Sequence, residues 1–252
     1  MRRTPLFIGL AVAVVTVLIV AGVLLSQDNV EEPIVEPESP ERTALLIPGY
    51  GGGTGQLERL ASELDDQGIQ AEVIDIGEGT DDLRGYADLV QIRAEELISQ
   101  GEPAPDLIGY SAGGVTARAA FSDNPELYGR VITLASPHQG TSTAVLGELV
   151  DACPVACQQL QPGSELIESF PEPERPDDWL SIWSEDDIVI RPATSSEISD
   201  ITNYRIQAAC DVRDIDHGAV PVDPQVEATI VAFLEDKPLP KSCVPEEAAG
   251  TQ

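Results

Sequence analysis

The chain has 252 residues, 42% of them apolar, which is enough for one sizeable core. Its 14 Lys+Arg stand against 44 Asp+Glu, a formal net charge of -30. That balance argues against nucleic acid and anionic lipid headgroups as electrostatic partners.

Leu6 to Leu25 is apolar without a single charge and follows Arg2 and Arg3. Roughly 20 helical residues cover about 30 Å, the thickness of a hydrocarbon core, so residues 1–25 read as a transmembrane helix. A cleaved signal peptide is the alternative, but its apolar region usually runs about 7 to 15 residues and ends in A-x-A. "VLLSQDN" offers no such site. With the arginines inside, the rest of the chain is expected outside: a single-pass cell-membrane protein, or a secreted one after cleavage. Residues 26–42, "SQDNVEEPIVEPESPER", are an acidic, proline-rich linker that cannot bury enough surface to fold alone.

Strand and helix patterns then alternate. Thr43 to Pro48 is a short apolar run ending in a glycine loop, and Leu57 to Gly68 repeats apolar residues at helical spacing. Strands are expected at Ile69–Ile76, Asp106–Ser111, Arg130–Ser136, Trp179–Ser184 and Tyr204–Ala209, and helices at Leu83–Gln100, Ala112–Ser122 and Val222–Leu234. Strands separated by helices imply an α/β fold, a mostly parallel sheet with helices on both faces. The folded domain is bounded at 43–236, with 141–176 as a long connection and 237–252 as a C-terminal tail.

Four cysteines in an oxidising compartment read as two disulfides. Of the three pairings, Cys153 with Cys157 and Cys210 with Cys243 is favoured: the first closes the loop "CPVAC", the second pins the tail to the core. A metal site is not expected, because no histidine flanks these cysteines and paired C-x-x-C knuckles are lacking.

Gly109-Tyr110-Ser111-Ala112-Gly113 fits G-x-S-x-G between an expected strand and an expected helix, the setting of a nucleophile elbow. In that setting Ser111 is a candidate nucleophile rather than a turn residue. A serine hydroxyl needs a base, and the chain has two histidines. His217, in "DIDHGAVP", follows the last strand; His138, in "ASPHQGT", directly follows the fourth. Only His217 leaves room for an acid after Ser111, the chain order of hydrolases built on such an elbow, so His138 is expected to order a loop. Glu185, Asp186 and Asp187 offer the carboxylate. The N–H groups of Ala112 and Tyr50 are the expected oxyanion donors. The alternative for "PGYGGGTGQ" is a phosphate cradle, but G-x-x-x-x-G-K-[ST] is absent and G-x-G-x-x-G fits poorly.

From about Thr43 to Asp236 the chain resembles a small bacterial, actinobacterial-type lipase or esterase of the α/β-hydrolase superfamily. The resemblance lies in "LLIPGYGG", "GYSAGG", "LASPHQGT", "IWSEDDIVIRP" and "DHGAVP". It implies an α/β-hydrolase fold, a triad of Ser111, Asp187 and His217 with Asp186 as the runner-up acid, an ester or lipid substrate, and no cofactor. It also makes 141–176 a cap or cleft wall over the acyl site. Pro48 departs from the pattern, since such lipases usually carry histidine before the glycine of the oxyanion loop. Acyl transfer to a cell-envelope acceptor and a membrane-tethered binding module without catalysis are the competing functions.

Overall fold

Alternation of side chains along each strand gives the sheet two apolar faces, and helices cover both. The computed structural model describes residues 42–144, 153–211 and 214–245. The expected membrane-spanning stretch Leu6–Leu25 and most of the linker lie outside the described residues, among which no helix is long and apolar enough to cross a membrane. In chain order the elements are β1 (Thr43–Ile47), α1 (Gly55–Asp66), β2 (Gln70–Val73), α2 (Leu83–Ser99), β3 (Asp106–Tyr110), α3 (Ala112–Asp123) and β4 (Val131–Leu134). There follow α4 (Val155–Gln159), α5 (Glu165–Ser169), β5 (Trp179–Trp183), β6 (Thr202–Arg205), α6 (Ile206–Ala209) and α7 (Pro224–Leu234).

The described strands form one sheet in the order β2-β1-β3-β4-β5-β6, with every neighbouring pair parallel. Leu45, Ile47, Leu107, Val131 and Trp179 point to one face and pack with α2 and α3. Ala44, Leu46, Ile108, Ile132, Leu180 and Ile182 point to the other, against α1 and α7. Both faces being dry explains why the central strands read as unbroken apolar runs. At the entry edge the buried Asp106 carboxylate accepts from the Arg42 guanidinium at 2.5 Å and from the Arg130 N–H at 2.6 Å. Burial raises its pKa despite these partners.

Three elements differ from expectation. The stretch Ile69–Ile76 pairs only over Gln70–Val73, because β2 is an edge strand whose partner β1 ends at Ile47. Tyr204–Ala209 is not one strand: pairing with β5 stops at Arg205, and Ile206–Ala209 turns into α6. The turn buries Ile206 and brings Cys210 to Cys243. The last helix begins two residues later than its pattern suggests, since the Asp223 carboxylate caps the Gln225 N–H and Pro224 occupies the first turn.

Between β4 and β5, the chain of the expected cap runs through α4 and α5, with residues 145–152 outside the described set. Phe170, just after α5, lies under the Arg118 guanidinium at 4.7 Å, which fastens this segment to α3. Cys153 bonds Cys157 and Cys210 bonds Cys243. The tail is held by more than the disulfide: Tyr204 Oη donates to the Pro240 carbonyl, and buried Gln225 accepts from the Val244 N–H.

Loop length separates the two bridges, because a cross-link stabilises mainly by restricting the unfolded chain. Cys210–Cys243 spans 33 residues and Cys153–Cys157 spans 4. Replacing the first pair by serine is expected to cost about 3–4 kcal/mol in denaturant melts, and the second about 2 kcal/mol.

Candidate active site

The turn between β3 and α3 places Ser111 at φ 55° and ψ -123°, a conformation that L residues avoid. Its N–H is tied to the Leu134 carbonyl of β4 at 2.8 Å, and α3 starts at once with Ala112. The motif glycines are required sterically. A Cβ on Gly113 would sit 2.1 Å from the Ile47 carbonyl oxygen, and one on Gly109 would sit 2.4 Å from that of Gly113. The helix therefore starts in contact with the ends of β1 and β3, and the serine projects from the tightest point.

His217 arrives from the opposite side, at the start of a 3-10 turn (His217–Val222) that Asp216 caps by accepting the Ala219 N–H. The His217 imidazole Nε2 lies 3.0 Å from Ser111 Oγ, and its Nδ1 lies 2.7 Å from Asp187 Oδ2. A carboxylate only accepts, so Nδ1 carries the proton and Nε2 is free to accept from the serine hydroxyl. Asp187 is buried, and its second oxygen accepts the N–H groups of Val189 and Ile190, each at 2.8 Å. Those two bonds fix the orientation of the carboxylate that the imidazole faces.

The three neighbouring carboxylates go separate ways. Glu185 pairs with Arg205 at the surface. Asp186 accepts from Gln207 Nε2 at 2.9 Å. Of the three, Asp187 is the one that turns inward to His217. His138 is buried with Nε2 on Thr133 Oγ1 at 3.0 Å, away from the serine, and burial near Arg118 lowers its pKa well below the usual value.

The glycine loop after β1 runs beside the serine: a Cβ on Gly49 would approach Ser111 Cβ to 2.9 Å. Tyr50 and Ser111 line the same cavity of about 220 Å³, with Pro137, Thr141, Ala144, Cys157, Leu160 and Ile190 among its other walls. Thr141 and Thr143 also border it, but both hydroxyls donate to the Val189 carbonyl. The wall is consequently apolar. The Ala112 N–H belongs to the first turn of α3, where backbone donors have no helical acceptor.

Two contacts escape a reading of the sequence. The Tyr110 hydroxyl donates to the His217 carbonyl at 3.1 Å with its ring 5.1 Å from the imidazole, and the Gln56 amide donates to the Gly218 carbonyl. Burial, with Asp187 and Asp216 nearby, pushes the Tyr110 pKa upward, so the phenol stays a neutral donor. Tyr110 stands inside the motif, but nothing local tells which way its side chain reaches; Gln56 carries no sequence signal.

No protein-family profile matches the chain. Among solved structures it resembles Aspergillus fumigatus lipase B at a TM-score of 0.70 and 17% identity, over 84% of this chain and 57% of that one. It resembles a Bacillus licheniformis lipase in mature form at 0.62 and 16%, over 81% and 95% respectively. The esterase domain of a Rhodothermus marinus protein follows at 0.50 and 16%, over 79% and 86%. The chain thus spans little more than half of the Aspergillus lipase and nearly all of the Bacillus one. The fold is that of the α/β-hydrolases.

Two stability effects follow from this geometry. Ser111→Gly relieves the positive-φ strain and is expected to raise stability by about 1 kcal/mol in denaturant titration, whereas Ser111→Ala leaves it nearly unchanged. His138 has a folded pKa below its unfolded one, so its contribution is complete above about pH 6.5 and declines as pH falls. The stability difference between wild type and His138→Gln in denaturant melts is therefore expected to shrink from pH 7 to pH 5.

Proposed function

We propose that the chain is a serine carboxylic-ester hydrolase, a lipase or esterase working through an acyl-enzyme. The observation that carries this reading is the unbroken relay from Ser111 Oγ through His217 to buried Asp187, opening onto an apolar cavity. Ser111 Oγ attacks the ester carbonyl carbon while His217 Nε2 takes its proton. The oxyanion that forms is met by the N–H groups of Ala112 and Tyr50. Asp187 holds the imidazole in one tautomer and stabilises the imidazolium, which then protonates the departing alcohol. In the second half, His217 deprotonates a water that attacks the acyl-enzyme carbonyl, releasing the carboxylic acid and the free serine. These steps use the chain's own side chains and require no cofactor.

The lipase and esterase neighbours agree with an ester or lipid substrate. The cavity of about 220 Å³ favours a short acyl chain, since pockets enclosing drug-sized ligands run to roughly 300–1,000 Å³. For location, we propose an extracytoplasmic domain, held by Leu6–Leu25 or released by cleavage. The two disulfides support the oxidising compartment.

The test is hydrolysis of p-nitrophenyl esters from acetyl to palmitoyl by the full chain. Butyryl and hexanoyl esters are expected to turn over faster than palmitoyl. Ser111→Ala abolishes the activity, Asp187→Asn lowers kcat by about 10³–10⁴-fold, and Asp186→Asn stays within about threefold of wild type. No hydrolysis of any ester, with no phosphonate labelling of Ser111, would overturn the reading in favour of a binding module. Ester products formed on added alcohols would point to acyl transfer instead.

A further inference from the structure

The His217 ring must meet two partners at once, at 2.7 Å and 3.0 Å, from a 3-10 turn that lies outside the sheet. Side-chain torsions alone do not secure that position; the backbone carrying the ring has to be held as well. Two side chains from distant parts of the fold do this. Tyr110, at the end of β3, donates its hydroxyl to the His217 carbonyl. Gln56, in the first turn of α1, donates its amide to the Gly218 carbonyl. The Tyr110 ring also flanks the imidazole, with an interplanar angle of 33°, and closes one side on which it could swing.

We propose that Tyr110 and Gln56 are positioning residues, clamping the backbone of His217 and Gly218 so that the imidazole stays between Asp187 and Ser111. The proposal rests on the hydrolase reading for its effect on turnover. Tyr110 is suited to the task because it is covalently adjacent to Ser111. A displacement of the end of β3 carries nucleophile and clamp together, so the distance from Oγ to Nε2 is preserved. Neither Tyr110 nor Gln56 is among the residues lining the cavity, so their loss should alter the rate of the chemical step and not the fit of the acyl chain.

The experiment compares full-length wild type with Tyr110→Phe, Gln56→Ala and the double variant. Tyr110→Phe deletes one oxygen and keeps the ring, which spares the packing. On p-nitrophenyl butyrate it is expected to lower kcat about five- to thirtyfold, with KM within about twofold and Tm within a few degrees. The double variant should lose more than either single one. A second readout does not depend on turnover. The chain has two histidines, so nitrogen NMR of the imidazoles resolves His217 against buried His138 as an internal reference. The His217 Nδ1–H proton, shielded in wild type by its bond to Asp187, should exchange faster with water in the variants while His138 is unaffected. Unchanged kcat and unchanged Nδ1–H exchange in the double variant would overturn the clamp. A wild type without esterase activity whose His217 signal still weakens in the variants would sustain the clamp and overturn the hydrolase reading.

Discussion

The close approach of α3 to the ends of β1 and β3 sets the geometry on which the other parts of the site depend. With only about 2 Å between a hypothetical Gly113 Cβ and the Ile47 oxygen, no side chain fits between helix and strands, and the turn joining them is forced to positive φ at Ser111. Strain of this kind survives only where the surroundings over-determine it. Here the surroundings are a bond from Ser111 N–H to β4 and a sheet whose central strands are dry on both faces. The same contact brings the Gly49–Tyr50 loop against the serine, so Ser111 and the glycine loop are placed by one packing event.

Parallel strands then explain why partners so distant in sequence converge. Ser111 and His217 are 106 positions apart, and His217 and Asp187 are 30 apart. All follow the carboxyl ends of parallel strands, which lie along one edge of the sheet. That edge is where loops can vary while the sheet remains intact.

Charge is managed locally in spite of the net excess of acid. The buried carboxylates Asp106 and Asp187 each accept backbone N–H bonds, Asp106 with a guanidinium in addition. Arg118, half-buried and stacked on Phe170, has its pKa lowered to about 10 by burial. It still carries its charge near neutrality, and that charge faces the Phe170 ring of the segment after α5.

Much of this was legible from residue order. Short apolar runs and period-3.6 patterns report local burial, so the alternation of strands and helices, the elbow at Ser111 and the two histidines' different settings could be read directly. Boundaries were less legible: Tyr204–Ala209 looks like a strand because Ile206 is buried, yet burial is served equally by the helical turn that sheet pairing leaves room for. The sequence by itself determined the α/β class, the strained serine and the set of groups able to assist it. Only the tertiary structure decided which oxygen of which carboxylate meets the imidazole, where Tyr110 and Gln56 reach, and how the cavity is walled. The physical reason is that propensity and periodicity are properties of neighbouring residues, whereas a hydrogen-bond partner is chosen by chain segments that meet only after the sheet has formed.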